Sequence, residues 1–205
     1  MSITLIIILI TVAFSIWGFQ SPDIFYKYAF YPFRVSSNRE YVRFFSSSLL
    51  HVGWSHLLFN MLTLFFFGAA VEESFEYYRP GNGALIMAGM YVTAMVVSEL
   101  GTLMKYKNDR SYSSVGASGA VSAILFSSIW FMPTKMILVM FIPMPGFVFG
   151  ALYLMYTAWA AKNDHSGHIN HDAHFYGAVW GILVTLVLAP ESLGAFFHQL
   201  ARFSF

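Results

Sequence analysis

The stretch SSVGASGAVSAI, residues Ser113 to Ile124, decides how the rest of the sequence is interpreted. It places the hydroxyl of Ser118 between Ala117 and Gly119, in a run of small and mostly apolar residues. Such residues let two helices approach closely in a membrane, which is one explanation of the pattern. A serine nucleophile is the other explanation, and it requires a base and hydrogen-bond donors elsewhere in the chain.

The composition of the chain is that of an integral membrane protein. Of its 205 residues, 58% are hydrophobic and 10% are charged, whereas charged residues make up about a quarter of a soluble domain. The sequence contains no Cys, which excludes disulfides, thiolate nucleophiles and Cys-ligated zinc. A net charge of +1 gives no support for a nucleic-acid partner.

Six mostly apolar segments, each of roughly the length that a membrane-spanning helix needs, follow one another along the chain. The first has no basic segment before it and no small-residue cleavage site after it, so we expect a retained helix and not a signal peptide. The sequence predicts an all-α, polytopic membrane protein with a single domain over 1–205. The predicted spans lie near 2–19, 49–71, 84–104, 116–132, 146–161 and 173–190.

Two connecting segments are also distinctive. Residues 20–48 mix basic and aromatic side chains, which predicts a loop resting in the lipid headgroup region. Residues 135–145 are predicted as a connector because Pro143 and Pro145 interrupt a helix. Asp172 is the predicted N-cap of the sixth helix.

Three of the predicted helices carry polar groups where they begin. An even number of spans puts the starts of the second, fourth and sixth helices at the same membrane face. These starts carry His51, His56 and Asn60, then Ser118, and then His174. Ionisable groups within spans are costly, so their convergence indicates a functional site. Since a histidine pKa lies near neutrality, His174 is the candidate base for Ser118.

Small residues are placed where they would bring these groups together. Gly177 and Gly181 follow His174 on the same helix face, and Gly119 lies beside Ser118. Close packing of these faces would bring the imidazole within hydrogen-bond reach of the hydroxyl.

Acyl transfer also needs donors for a developing oxyanion. His56 and Asn60 are spaced i, i+4 and lie on one helix face, so they are the candidate side-chain donors. Free N–H groups at the start of the fourth helix would assist them. His51 points elsewhere and is predicted to have a structural role.

Together these residues resemble the rhomboid intramembrane serine proteases. The matching motifs, in the family's order on its second, fourth and sixth helices, are H-x4-H-x3-N (His51, His56, Asn60), GASG around Ser118, and AH-x2-G-x3-G (His174, Gly177, Gly181). Arg43 resembles the arginine of the family's first-loop Trp-Arg pair, and Glu72 resembles the acid that ends its second helix. The resemblance covers nearly the whole chain as a six-transmembrane-helix rhomboid-like bundle.

The resemblance implies a Ser-His dyad of Ser118 and His174, with an oxyanion hole formed by His56, Asn60 and the Ser118 N–H. It implies no cofactor and no metal. Its implied partners are the lipid bilayer and single-pass transmembrane substrates, cut in or near the membrane after a small residue. It leaves the oligomeric state open. The implied structural residues are Gly116, Gly119, Gly177, Gly181, His51, Arg43 and Glu72.

The family resemblance also implies a location in the bacterial inner membrane, with the site open to the extracytoplasmic side. That orientation leaves only Arg79, Lys135 and Arg202 inside, against the usual excess of positive charge there.

Two residues depart from the family pattern. Val42 stands where the family usually has Trp before the arginine. Ser122 stands one turn after Ser118, where many members carry a Tyr that stacks on the catalytic histidine. Phe175 or Tyr176 is the candidate replacement for that ring. The alternative is that the ring of His174 is held more loosely and the activity is lower.

Two other functions compete with a protease. A noncatalytic membrane binder would recognise client helices without cutting them. A small transporter would distribute polar groups through the full membrane depth, whereas here they cluster near one face. The loop histidines His165, His168 and His171 are interpreted as solvated and not as zinc ligands, because no helix or strand orients them.

Overall fold

Helices dominate the computed structural model, which describes residues 2–139, 141–163 and 169–204. In chain order they are α1 (Ile3–Gln20), α2 (Pro22–Tyr28), α3 (Pro32–Asn38), α4 (Arg43–Ser46), α5 (Trp54–Tyr78), α6 (Gly83–Val97), α7 (Glu99–Tyr106), α8 (Ser118–Phe131), α9 (Gly146–Asn163), α10 (His171–Leu188) and α11 (Ser192–Ala201). A 3-10 turn covers Ser47–Leu49, and two short strands, β1 (Met136–Val139) and β2 (Ile142–Pro145), precede α9. The protein is a polytopic membrane helical bundle, as predicted.

Each of the six predicted segments contains a helix, and the second differs most from its predicted bounds. It was predicted over 49–71, whereas α5 runs from Trp54 to Tyr78. Extended backbone at Gly53 delays its start. The acidic residues near its end do not stop the helix, which continues until two residues before Pro80, a residue that cannot extend it.

Three helices in the described ranges are long and apolar enough to cross a membrane, namely α1, α5 and the α6–α7 pair. The pair α10 and α11, bent by 113°, is a fourth if it forms one span. The apolar helix α8 has 14 residues, so it is about 21 Å long, shorter than the hydrocarbon core of about 30 Å. A helix of this length is too short to cross the hydrocarbon core by itself.

Helices α8 and α10 pack backbone against backbone. A Cβ atom on Gly177 would collide with the carbonyl oxygen of Gly119, and one on Gly181 with that of Ala123. Further along, the hydroxyls of Ser127 and Thr185 are hydrogen-bonded across the two helices at 2.7 Å. Twelve of the fourteen residues of α8 are buried. The small-residue faces predicted from the sequence therefore meet at this contact.

The two connecting segments are more ordered than predicted. Residues 20–48 contain α2, α3 and α4, and Phe30 pairs with Ser114 in an isolated antiparallel bridge. This bridge joins the first connecting segment to the chain that enters α8. Residues 136–145 include a β-hairpin in which β1 pairs antiparallel with β2. Its prolines are tolerated because a two-stranded hairpin has only edge strands.

Candidate active site

A cavity of about 500 Å³ lies near the starts of α5, α8 and α10. It is lined by His56, Ser118 and His174, one predicted side chain from each of these helices. The rest of its wall comes from Phe25, Val52, Tyr112, Ser113, Ser114, Val115, Ile169 and Asn170. Residues far apart in the sequence are thus gathered around one space, with apolar and polar groups on its walls.

Ser118 is the first residue of α8. The N–H groups in the first turn of a helix have no partner within the helix, and the helix dipole there favours negative charge. Two residues earlier, Gly116 has a φ of +134°, and a Cβ atom on it would lie 2.6 Å from Cε1 of His56. Gly116 therefore permits both the turn into α8 and the close approach of the imidazole.

The ring of His174 stacks on Tyr153 of α9. The ring centroids are 6.2 Å apart, and the planes are inclined by 15°. The phenolic oxygen of Tyr153 is 2.9 Å from Oγ of Ser122. A tyrosine from a neighbouring helix therefore supports the histidine, and Ser122 anchors that tyrosine.

This contact corrects the expectation that Phe175 or Tyr176 steadies His174. The Tyr176 ring lies over Gly101, where a Cβ atom would collide with it, and the Phe175 ring contacts that of Tyr176 edge-on. Adjacent residues on a helix point about 100° apart, so these rings follow a different direction. No local signal in α9 identifies Tyr153, because its partners belong to other helices.

His56 and Asn60 lie one turn apart on α5. Within the described part of the chain, Nδ1 of His56 is buried and has no hydrogen-bond partner. Asn60 is also buried, and its Nδ2 donates to the carbonyl oxygen of His56 at 2.9 Å. Asn60 is not part of the cavity wall, so its predicted role as an oxyanion donor stays a prediction.

His51 connects α1 to the chain that enters α8. Its Nδ1 is 2.9 Å from Oγ of Ser15, and its Nε2 accepts a hydrogen bond from the N–H of Ala117 at 3.4 Å. The side chain is almost fully buried. Because His51 bonds both Ser15 of α1 and Ala117, the residue before Ser118, its contacts favour the structural role predicted for it.

Arg43 holds the segment before α5 together. Its buried guanidinium donates to the carbonyl oxygens of Lys27 and Ala29 at 2.8 and 2.7 Å, and it pairs with Glu40 at 2.5 Å. Hydrogen bonds from Asn38, and then from Arg43, lower the pKa of Glu40, which keeps this carboxylate charged.

Glu72 has its contacts at the N-terminus of α1. Its Oε1 accepts hydrogen bonds from the backbone N–H of Thr4, at 2.7 Å, and from the Thr4 hydroxyl. A carboxylate at a helix N-terminus satisfies free N–H groups and complements the dipole. Glu72 therefore ties α1 to α5, a contact of the structural kind that the resemblance implied.

The N-cap of α10 is Asn170, which corrects the assignment of this role to Asp172. The side chain of Asn170 accepts from the N–H of Ala173. Asp172 lies inside the first turn, where its Oδ2 is 3.4 Å from Nζ of Lys105. Asn170 also lines the cavity, so the residue that caps α10 faces the same space as His174.

Two further groups complete the surroundings of the cavity. Burial raises the pKa of the Tyr112 phenol, so it stays neutral. The interpretation of His171 as a solvated loop histidine is corrected, because it is buried as the first residue of α10, where its ring contacts that of Tyr156. His165 and His168 lie outside the described residues, and within the described ranges no group of three or more His, Asp or Glu side chains could hold a metal ion.

The fold defines a polytopic helical membrane protein whose buried, short helix presents a serine to a cavity shared with two histidines. The Rhomboid domain model matches residues 38–191, which is more than half of the chain. The protein therefore belongs to the rhomboid family, and its class is that of the rhomboid-type serine proteases.

Individual relatives agree with this membership. The chain is 29% identical to YdcA of Bacillus subtilis over 156 residues, which cover 76% of this chain and 71% of YdcA. It is 32% identical to the rhomboid protease GlpG of Haemophilus influenzae over 108 residues, covering 53% and 50% of the two chains. It is 28% identical to the rhomboid protease GluP of Bacillus subtilis over 171 residues, covering 78% of this chain but 29% of GluP.

Proposed function

We propose that this protein is an intramembrane serine endopeptidase in which Ser118 is the nucleophile and His174 is the general base. The observation that carries the proposal is the cavity that His56, Ser118 and His174 share. A serine hydroxyl is a weak nucleophile until a neighbouring base accepts its proton, and an imidazole is suited to do so.

The reaction begins when His174 accepts the hydroxyl proton of Ser118 while Oγ bonds to the carbonyl carbon of the scissile peptide. His174 then gives the proton to the leaving amine as the C–N bond breaks, which leaves an ester on Ser118. A water molecule, deprotonated by His174, attacks this ester and releases the acid. Ser118 regains its proton from His174.

The negative charge on the carbonyl oxygen needs donors in both tetrahedral intermediates. The N–H of Ser118, the imidazole of His56 and the amide of Asn60 serve in this proposal. An amide nitrogen carries two N–H groups. One N–H of Asn60 donates to the carbonyl oxygen of His56, so the second remains for the oxyanion.

The proposed substrates are single-pass transmembrane proteins, cut in or near the membrane after a small residue where their helix unwinds easily. Side chains of Phe25, Val52 and Ile169 on the cavity wall suit an apolar, extended chain. We place the protein in the bacterial inner membrane, with the cavity opening to the extracytoplasmic side.

Cleavage of a single-pass transmembrane substrate in liposomes tests the proposal. Ser118→Ala and His174→Ala should each abolish cleavage while thermal unfolding in detergent shows a folded protein. Ser127→Ala is a matched control, since it removes a polar contact between α8 and α10 far from Ser118 and should keep cleavage. A Ser118→Ala protein that cleaves at the wild-type rate would refute the proposal. Folded wild-type protein that binds the substrate without cutting it would favour the noncatalytic binder.

A further inference from the structure

A buried carboxyl group lies beside the catalytic cavity, on a helix that carries none of the proposed reacting groups. Glu99 is the first residue of α7, and only 7% of it is exposed. An acidic side chain buried in a membrane protein is costly unless its polar atoms are bonded. Its Oε2 accepts a hydrogen bond from Nδ2 of Asn170 at 3.1 Å.

The orientation of the Asn170 side chain follows from its other contacts. Its Oδ1 accepts from the backbone N–H of Ala173 at 3.1 Å and from the hydroxyl of Thr102 at 3.0 Å. A backbone N–H can only donate, so the amide oxygen must face Ala173 and the amide nitrogen must face Glu99. Glu99 and Thr102, one turn apart on α7, thus bond opposite ends of a single amide.

Asn170 joins this pair to the start of α10. Its side chain caps the helix, and its backbone carbonyl oxygen accepts from the N–H of His174 at 3.2 Å. It also lines the cavity together with Ser118 and His174. Any shift of Asn170 therefore moves the first turn of α10, where His174 is attached.

Ser98, the residue before Glu99, contacts α8, the helix that carries Ser118. Ser98 lies so close to Gly119 that a Cβ atom there would be 2.6 Å from the Cβ of Ser98. The junction of α6 and α7 therefore contacts α8 one residue after Ser118 and α10 four residues before His174. The starts of α8 and α10 are thus both packed against the junction of α6 and α7.

We propose that Glu99 is a positioning residue for His174, acting through its hydrogen bond to Asn170 at the start of α10. This role rests on the proposed function of His174 as the base. Without an acceptor at position 99, the amide of Asn170 loses one of the contacts that orient it, and the imidazole loses its alignment with Ser118. Small misalignments of reacting groups cost up to about a hundredfold in rate.

The test compares five variants with the wild-type protein in liposomes, using the transmembrane substrate; the fifth is the double variant of Glu99→Leu and Asn170→Ser. Glu99→Leu removes the acceptor at similar size, and Glu99→Gln keeps an acceptor oxygen. Asn170→Ser keeps a capping hydroxyl but lacks the amide nitrogen that donates to Glu99. Ser127→Ala again serves as the control for a lost polar contact between α8 and α10. Rates are divided by the amount of folded protein, which thermal unfolding in detergent measures, so that a change in the catalytic rate is separated from a change in the yield of folded protein.

Positioning predicts that kcat per folded protein falls about 10- to 100-fold in Glu99→Leu while KM stays within about twofold. Glu99→Gln should keep most of the wild-type kcat, Asn170→Ser should resemble Glu99→Leu, and the double variant of Glu99→Leu and Asn170→Ser should be no slower than either single variant. Ser127→Ala should keep the wild-type kcat even if its thermal stability falls.

An unchanged kcat in Glu99→Leu, whatever its stability, would overturn the role, as would a Glu99→Gln variant as slow as Glu99→Leu. If Glu99→Leu fails to fold, the Asn170→Ser variant decides, and an unchanged kcat there overturns it. A wild-type protein that neither cleaves nor is labelled at Ser118 by a fluorophosphonate overturns the proposed function and this role together. An active wild type with an unaffected Glu99→Leu overturns this role alone.

Discussion

Helices α10 and α9 both contact α8, but they do so in different ways. α10 approaches through backbone atoms, with Gly177 against Gly119. α9 reaches α8 through long side chains, including Tyr153, which bonds to Ser122 and lies 5.3 Å from the Phe126 ring between centroids. Much of the remaining surface of α9 is exposed, at Leu152, Met155, Tyr156 and Trp159.

The two kinds of contact hold α10 and α9 against α8 with different firmness. Backbone contact between α8 and α10 leaves little freedom in the relative positions of Ser118 and His174, since protein interiors resist changes in packing. Contact through the side chains of α9 leaves that helix easier to displace, because fewer buried atoms hold it. Tyr153 nevertheless belongs to α9, so the orientation of the His174 ring depends on the helix that is less tightly packed.

The largest effect is expected from filling the contact between α8 and α10. In Gly177→Val the new side chain collides with the Gly119 backbone, which cannot move aside as a flexible side chain would. We expect unfolding in detergent to require about 3 kcal/mol less free energy, and cleavage to be lost. Thermal unfolding and the liposome cleavage assay measure both.

Gly89→Ala is the matched control, because nothing lies within 4 Å of a Cβ atom there. It should be neutral or stabilise the protein by up to about 1 kcal/mol, since alanine favours a helix over glycine. Equal losses in Gly177→Val and Gly89→Ala would show that the contact between α8 and α10 is not close.

An intermediate effect is expected at the hydrogen bond between Ser122 and Tyr153. Ser122→Ala and Tyr153→Phe should each cost about 1 kcal/mol of stability, and the double variant should cost little more than one of them. Tyr153→Leu also removes the ring beside His174, so kcat should fall further than in Tyr153→Phe. Trp159→Leu, on the exposed side of α9, should leave kcat unchanged. Additive losses in the double variant would argue against the bond.

The smallest effect is expected where Lys105 holds the last turn of α9. Its Nζ donates to the carbonyl oxygen of Ala161 at 2.7 Å and lies 3.4 Å from Asp172. Because the side chain is 35% exposed, Lys105→Met should cost less than about 1 kcal/mol. Hydrogen exchange should quicken in the last turn of α9 and not in α10. Equal changes in both helices would mean that α9 is no looser than α10.

The contact between α8 and α10 was predictable because its determinants are local. Gly177 and Gly181 repeat at a helical spacing after His174, and Gly119 directly follows Ser118. Helical periodicity alone puts such residues on one face. The same reasoning placed His56 near the start of the second predicted span. In the structure His56 lies on α5 and lines the same cavity as Ser118 and His174.

The supports of the site were not predictable in this way. Tyr153 and Ser122 meet across two helices, and nothing local in either segment specifies the pair. The prediction of Asp172 as the N-cap of α10 was wrong because asparagine caps a helix as well as aspartate does, and Asn170 holds that position. Glu99 and Thr102 bond the Asn170 amide, and that tertiary contact selects the cap.

Labelling of Ser118 by a fluorophosphonate, mapped by mass spectrometry in wild type and His174→Ala, tests the central claim most directly. If the imidazole activates the hydroxyl, wild-type protein is labelled at Ser118, and the rate falls by about a hundredfold or more in His174→Ala. Labelling at the same rate in both folded proteins, or no label on Ser118 in folded wild type, would contradict the account.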